Sequence, residues 1–393
     1  MQQQRPQTLQ DLQLAGRAAL QAGDTASAIA AFQQATTLAP ASPVAWHGLA
    51  LARAQASDPH GAIAAADRCL KLDPRSLRTL LLRADLTVGL GHTAQAASFY
   101  LQAVRAADGQ SVPPDLERDL RRADAAFQHL SQELAARLRD SLHGSGAYAP
   151  QDARRLDQAV DILAGRGRVW HQEPRYLHVP GLAAVPFHDR AAFAWLADLE
   201  ARTDAIEAEL RQVMADEAAF SAYVKSDPNR PGSTQKGLAD NSDWSACFLI
   251  RNGRQQDAVA DLCPVTLETV TGCGLSELPS RAPSVLFSRL EPGMHIPAHT
   301  GMINTRLIVH LPLIVPEGCA FRVGPETRTW RRGEAWVFDD TIEHEAWNRS
   351  AQARVILLFE VWNPAITPAE RVMLQDMFQA LDASGGPSEA WQI

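Results

Sequence analysis

The chain reads as a multidomain protein: all-α helical repeats followed by a double-stranded β-helix of jelly-roll type. Two observations predict this. Pro40 and Pro74 close similar segments 34 residues apart, and a further 34 residues lead to Asp108. Beyond Trp244 the apolar pattern changes to short runs of period two, separated by Gly, Pro, Asn and Asp.

The repeat rests on several positions that keep one spacing. Gly16, Ala50 and Ala84 fall together, as do Ala28, Ala62 and Ala96, and Ala35, Cys69 and Ala103. Small side chains there let antiparallel helices approach closely. Leu12, Trp46, Leu80, Phe32 and Tyr100 fill the space between them, and Gly23 and Gly91 mark turns. Over residues 9–108 the pattern resembles the tetratricopeptide repeat, three units being about the minimum for a stable stack. Residues 109–175 read as a helical connector, broken at "HGSGAYAP".

Net charge is −8 and the isoelectric point about 5.8, so no global basic surface indicates nucleic acid. No apolar run reaches bilayer length, and "MQQQRPQTLQDLQ" lacks the design of a secretory signal. The expectation is a cytoplasmic protein with no membrane partner. Five scattered cysteines without a C-x-x-C argue against a disulfide framework.

The strands of the second half are "WSACFLIRNG", "SVLFSRLEPG", "TRLIVHLPLIV", "CAFRVG", "RTWRRGEAWVFDD", "EHEAWN" and "ARVILLFEVWNP". In "NTRLIVHL" alternation places Arg306, Ile308 and His310 on one face and Leu307, Val309 and Leu311 on the other. A buried face bearing Arg and His implies an anionic ligand. His295, His299, His310 and His344 crowd into about fifty residues, with Arg306 and Arg354 nearby. His295 reads as surface or supporting, Asp339 and Asp340 as a turn or supporting pair, and the tryptophans as core. A carboxylate two residues after His299 would complete a familiar iron site, but Gly301 stands there.

These blocks, "PAHTG-IN-RL--HLPLIVP", "VFDDTIEHEAWN" and "RVILLFEVWNP", together with "YLHVPGL", "NSDWS" and "CPVT", resemble the aspartyl/asparaginyl β-hydroxylase family over residues 176–370. The family consists of iron(II)- and 2-oxoglutarate-dependent dioxygenases. The resemblance implies that His299 and His344 hold Fe(II), with water in the place left by Gly301. It puts Arg354 and Ser288 on the distal carboxylate of 2-oxoglutarate and His310 near its metal-bound end. Arg306 falls on a strand whose basic residues contact cosubstrate or the substrate's acid group. The family often carries a second Arg two residues later, where this chain has Ile308.

The implied reaction uses O2 and 2-oxoglutarate to hydroxylate the β-carbon of an Asp or Asn residue in a peptide or protein recruited by the repeats. The alternatives are the same chemistry on a free or carrier-bound amino acid or a lipid acyl chain, a halogenase using the vacant iron position, and a non-catalytic repeat adaptor. Residues 371–393 complete the chain as a helix and tail.

Overall fold

The computed structural model describes residues 8–109, 111–144, 150–224 and 240–384. Most of the polar stretch before Trp244 lies outside these residues, and the tail from 385 wholly so. The chain divides into two compact units, Met1–Val169 and Trp170–Ile393.

In the first unit the expected repeats are antiparallel helix pairs: α1 (Leu9–Gln21) with α2 (Thr25–Leu38), α3 (Pro43–Gln55) with α4 (Pro59–Leu72), and α5 (Leu77–Gly89) with α6 (Thr93–Ala107). Asp24, Ser42 and Asp58 cap three of them by accepting from the backbone N–H three residues on. The turn inside each repeat needs a left-handed residue. Gly23 and Gly91 supply it with φ of 75° and 80°, and Ser57 does so in the middle repeat at 59°. Ala28, Ala62, Ala96, Ala35, Cys69 and Ala103 are completely buried. Phe32 explains the small residues around it: a Cβ on Gly16 or Gly48 would lie 2.6 or 2.1 Å from its ring. Helices α7 (Pro114–His143) and α8 (Pro150–Leu163) extend the stack.

The second unit adds two short helices, α9 (Leu196–Ala201) and α10 (Thr203–Val213), before its first strand. The elements then run β1 (Ser221–Ala222), β2 (Trp244–Arg251), β3 (Arg254–Gln255), α11 (Asp257–Ala260), α12 (Pro264–Thr271), β4 (Val285–Leu290) and β5 (His295–His299). They continue with β6 (Arg306–Ile314), β7 (Cys319–Val323), β8 (Glu326–Thr329), β9 (Trp336–Phe338), β10 (His344–Asn348), β11 (Arg354–Trp362) and α13 (Pro368–Ala383). Among the described residues the larger sheet has the order β1-β2-β4-β11-β6-β9 with β3 on β2, and the smaller one β5-β10-β7-β8. All the ladders are antiparallel.

Alternation divides two cores. Leu307, Val309, Leu311 and Leu313 of β6 pack with Ile206 and Leu210 of α10 behind the larger sheet. Ile308, Phe338, Phe321 and Ala346 meet between the sheets. Burying each large aliphatic side chain contributes roughly 1.5–3 kcal/mol, enough to fix the strand register against a one-residue slip. Helix α13 seats Leu374 and Phe378 against Leu278 and Trp362. All five cysteines are free and buried.

The compact unit that starts at Trp170 includes residues 170–175 ahead of the expected domain. Gln172 Nε2 donates to Asp339 Oδ2 at 2.5 Å, and Asn304 Nδ2 donates to Gln172 Oε1 at 3.0 Å. Arg175 N donates to Gly301 O at 2.9 Å. The segment from Trp170 is therefore pinned beside the loop that follows β5.

Candidate metal centre and cosubstrate pocket

His299 ends β5 and His344 opens β10, and the two residues are direct partners in the ladder. Their ring centroids are 4.1 Å apart. His299 Nδ1 lies 2.8 Å from the carbonyl of Pro297, and His344 Nδ1 lies 3.0 Å from that of Ile342. A carbonyl only accepts, so each Nδ1 carries the proton and each Nε2 keeps its lone pair. Burial pushes the His299 ring down to about 3, with the neighbouring His344 acting in the same direction. Burial likewise takes His344 to about 4.

Two neutral imidazoles with free Nε2 atoms, oriented from behind by backbone carbonyls, fit the donor set for iron(II). No group of three His, Cys, Asp or Glu residues among the described residues is arranged to hold a metal. Both rings should remain in the neutral Nδ1–H tautomer at about pH 5.5, where a solvated histidine is mostly charged. Imidazole ¹⁵N shifts of the metal-free protein check this, and protonated rings at that pH would remove the pair as ready ligands.

The place beside Gly301 is not open. A Cβ built on Gly301 would lie 2.0 Å from Asp340 Oδ2 and 2.6 Å from Oδ1. The carboxylate of Asp340 therefore lies where the side chain of a residue at 301 would start, reaching it from the loop before β10. Its Oδ2 accepts from Arg306 Nη1 at 3.0 Å, while Oδ1 is buried without a hydrogen-bond partner among the described residues. Asp339 has the turn role, accepting from Thr341 N at 2.9 Å and Thr341 Oγ1 at 2.6 Å. Burial pushes its carboxyl up to about 6.

Arg306 is on the inner face as alternation requires, but its charge is matched within the chain. Besides Asp340 it pairs through Nε with Glu360 Oε1 at 3.2 Å. Glu360 Oε2 accepts from Ser284 N at 2.8 Å. The expectation that this guanidinium meets an external acid has to contend with two internal ones.

Arg354 is different. It is 1% exposed, its Nε has no hydrogen-bond partner, and no carboxylate among the described residues pairs with it. Its guanidinium lies over the Trp330 ring at 4.9 Å, and burial lowers its pKa to about 10. Ser288 lies on β4, which pairs with β11, and its Oγ accepts from Trp244 Nε1 at 3.4 Å. His310 is buried with Nδ1 unpartnered, and its ring lies 4.7 Å from Phe338. Burial and the charge of Arg354 hold it neutral.

One cavity of about 50 Å³ collects these groups. It is lined by His299, His344, Asp340, Ser288, His310 and Arg354, with apolar walls that include Ile308, Phe321 and Trp330. Arg306 does not line it. His295 is outside, paired with Glu345 Oε2 at 3.0 Å and stacked on Trp347. Trp330 is core and also cavity wall. Sequence reasoning missed Glu360, although a lone acid inside "VILLFEVW" was a signal, gave Trp244 no role beyond its place in "NSDWS", and missed Tyr223 and Gln172, which carried none.

Residues 200–364 match the model of the family described as Aspartyl/Asparaginyl beta-hydroxylase, and residues 12–42 match the tetratricopeptide repeat. The Aspartyl/asparaginyl beta-hydroxylase of Mus musculus is 36% identical over 143 residues, covering 35% of this chain and 18% of that protein. The Ornithine lipid ester-linked acyl 2-hydroxylase of Rhizobium tropici is 34% identical over 194 residues, 49% of this chain and 65% of that protein. The chain thus spans less than two thirds of either relative. Among solved structures, the TPR2B domain of yeast Sti1 in complex with an Hsp70 peptide is 19% identical with a TM-score of 0.29, covering 32% of this chain and 97% of that one. The β-rich unit is thus similar, over residues 200–364, to the aspartyl/asparaginyl β-hydroxylase family, and the helical unit, over residues 12–42, to the tetratricopeptide repeat.

Proposed function

We propose that this domain is an iron(II)- and 2-oxoglutarate-dependent hydroxylase acting on a carbon next to a carbonyl group. The observation that carries the reading is one cavity holding two neutral, metal-ready histidines and an unpaired buried arginine. An unmatched internal cation is costly unless a ligand completes it, and a planar guanidinium suits a carboxylate. Ser288 stands on the neighbouring strand to share that carboxylate, and the neutral His310 to meet the other end of the cosubstrate. Iron(II) held by His299 and His344 would supply O2 activation, with one oxygen atom going to the substrate hydroxyl, the other to succinate, and CO2 leaving. Phe321, Trp330 and Phe338 keep water from the reacting atoms. Asp340, fixed by Arg306, offers a free acceptor oxygen beside the histidines.

The β-carbon of an Asp or Asn residue and the 2-position of an acyl chain are both carbons of this kind. A halogenase reading needs a halide beside Gly301, where it would face the Asp340 carboxylate. A non-catalytic adaptor leaves the unpaired Arg354 without a purpose. The helical unit, whose cleft is lined by Pro74, Arg75, Leu101, Arg105 and Phe127, would recruit the polypeptide that carries the substrate.

The test is mass spectrometry of candidate peptides and acyl compounds incubated with the protein, iron(II), ascorbate and 2-oxoglutarate. Gain of one oxygen with stoichiometric succinate supports the reading, and no 2-oxoglutarate binding sinks it. A chain beginning at Gly167 should keep cosubstrate binding while losing affinity for protein-borne substrates and not for short ones. A chain beginning at Arg175 lacks Gln172 and should unfold at a lower temperature. Equal loss for both substrate classes would make the repeats a brace alone.

A further inference from the structure

Arg306 is held between Asp340 and Glu360 at 3.0 and 3.2 Å. On the hydroxylase reading, on which this inference rests, Arg354 meets the cosubstrate. Arg175 is the cation left over. Its side chain is exposed and makes no hydrogen bond or ion pair among the described residues, not even with Glu173 two positions earlier.

A solvated arginine is ordinary on a protein surface, but this one is fixed in place. Pro174 stiffens the chain before it. Its N–H donates to Gly301 O at 2.9 Å, and Tyr176 N donates to Met302 O at 3.0 Å. The Tyr176 ring stacks on Phe378 of α13 at 6.3 Å. Gly301 follows His299 by two residues, at most ~7 Å of chain. Burial is the main cause that keeps the His299 ring neutral, and the positive charge of Arg175 adds to it. That charge is therefore within electrostatic reach of the paired histidines.

The cavity also meets solvent on this side. Arg354, Ser288 and His310 are at most 5% exposed, whereas His299 and Tyr223 are only half-buried. A substrate that enters past His299 brings its flanking groups to Arg175. A fixed, unpaired cation there attracts an anionic flank and repels a cationic one.

We infer that Arg175 determines specificity by pairing with an acidic side chain that flanks the reacting residue of a polypeptide substrate. A guanidinium suits a carboxylate because it can donate two parallel hydrogen bonds. The pair forms at the solvent boundary, so its effect is modest and weakens with salt. The acid is held outside the cavity, and the group to be hydroxylated enters it.

The experiment uses the full chain, metal-free and supplied with 2-oxoglutarate, and three fluorescein-labelled heptapeptides. Each carries a central Asn flanked on both sides by Glu, by Gln or by Lys, and binding is read by fluorescence anisotropy. Wild type should bind the Glu peptide about three- to fivefold more tightly than the Gln peptide, and the Lys peptide more weakly still. The spread should shrink at about 0.5 M salt. Arg175→Lys should keep the order, Arg175→Gln should level it and Arg175→Glu should reverse it, which a general weakening of the fold would not do. With iron(II) and O2 present, KM for hydroxylation should follow the same order while kcat changes little. No flank preference in wild type overturns the inference, as does a Glu preference that survives Arg175→Glu. Arg175-dependent binding of micellar didecanoyl phosphatidylglycerol without binding of any peptide overturns it too, because the anion is then a lipid headgroup. Failure of wild type to bind 2-oxoglutarate overturns the hydroxylase reading and this one with it, whereas normal cosubstrate binding with indifference to the flanks overturns this one alone.

Discussion

Gly301→Asp should bind metal more tightly than wild type and hydroxylate far less. A family view of the site leaves water where the aspartate would reach. The structure gives a stronger reason, because the volume already belongs to the Asp340 carboxylate, 2.0 Å from the position of a new Cβ. Two carboxylates cannot share it. One must leave, and if Asp340 goes, Arg306 loses its partner at 3.0 Å. Breaking a buried pair costs about 3–5 kcal/mol, so the metal-free variant should melt well below wild type. Bound metal recovers part of that loss by taking the new carboxylate as a ligand. Succinate should then form without hydroxylated product, or not form at all. Gly301→Ala separates the effects: it adds the clash without a ligand, so stability falls and metal affinity does not rise. Calorimetric metal titration and thermal unfolding check both variants. A fully coupled, fully stable Gly301→Asp would show that Asp340 can vacate its place freely, and the description of this centre would fail.

Arg354→Met should abolish cosubstrate binding and make the empty protein more stable. Removing the partner of a buried carboxylate costs about 3–5 kcal/mol, a loss of about two to four orders of magnitude in 2-oxoglutarate affinity. In the free protein the sign reverses. The guanidinium is 1% exposed without a carboxylate partner, and burial has already pulled its pKa down to about 10. An apolar side chain of similar length removes that penalty and forfeits only the contact with Trp330 at 4.9 Å, worth about 0.5–2 kcal/mol. The melting temperature without ligands should rise, and the increment that 2-oxoglutarate gives wild type should vanish. Unchanged calorimetric affinity would take Arg354 out of the pocket.

The sequence made the helical repeats legible because three positions repeat their small residues at one spacing, and close helix approach tolerates little else there. Strand alternation placed Arg306, Ile308 and His310 inward from eight letters of text. Arg306's true environment could not be read that way. Glu360 reaches it from β11, whose register sets Trp362 against Arg306, and nothing local announces a partner so far along the chain. The closure of Asp340 over Gly301 likewise depends on two loops whose approach only folding decides. The anchoring of Gln172 to Asp339, 167 residues away, was hidden for the same reason.

His299 and His344 are opposite each other on one rung of a ladder, and β5, which carries His299, is the outermost strand of its sheet. Outermost strands detach first when a protein breathes. On the proposed reading, iron bound there would act as a rivet through the seam most prone to open, and occupancy and local unzipping would become one equilibrium. Amide exchange along His295–His299 should slow in proportion to free metal concentration, while exchange in the middle of the larger sheet remains indifferent to it.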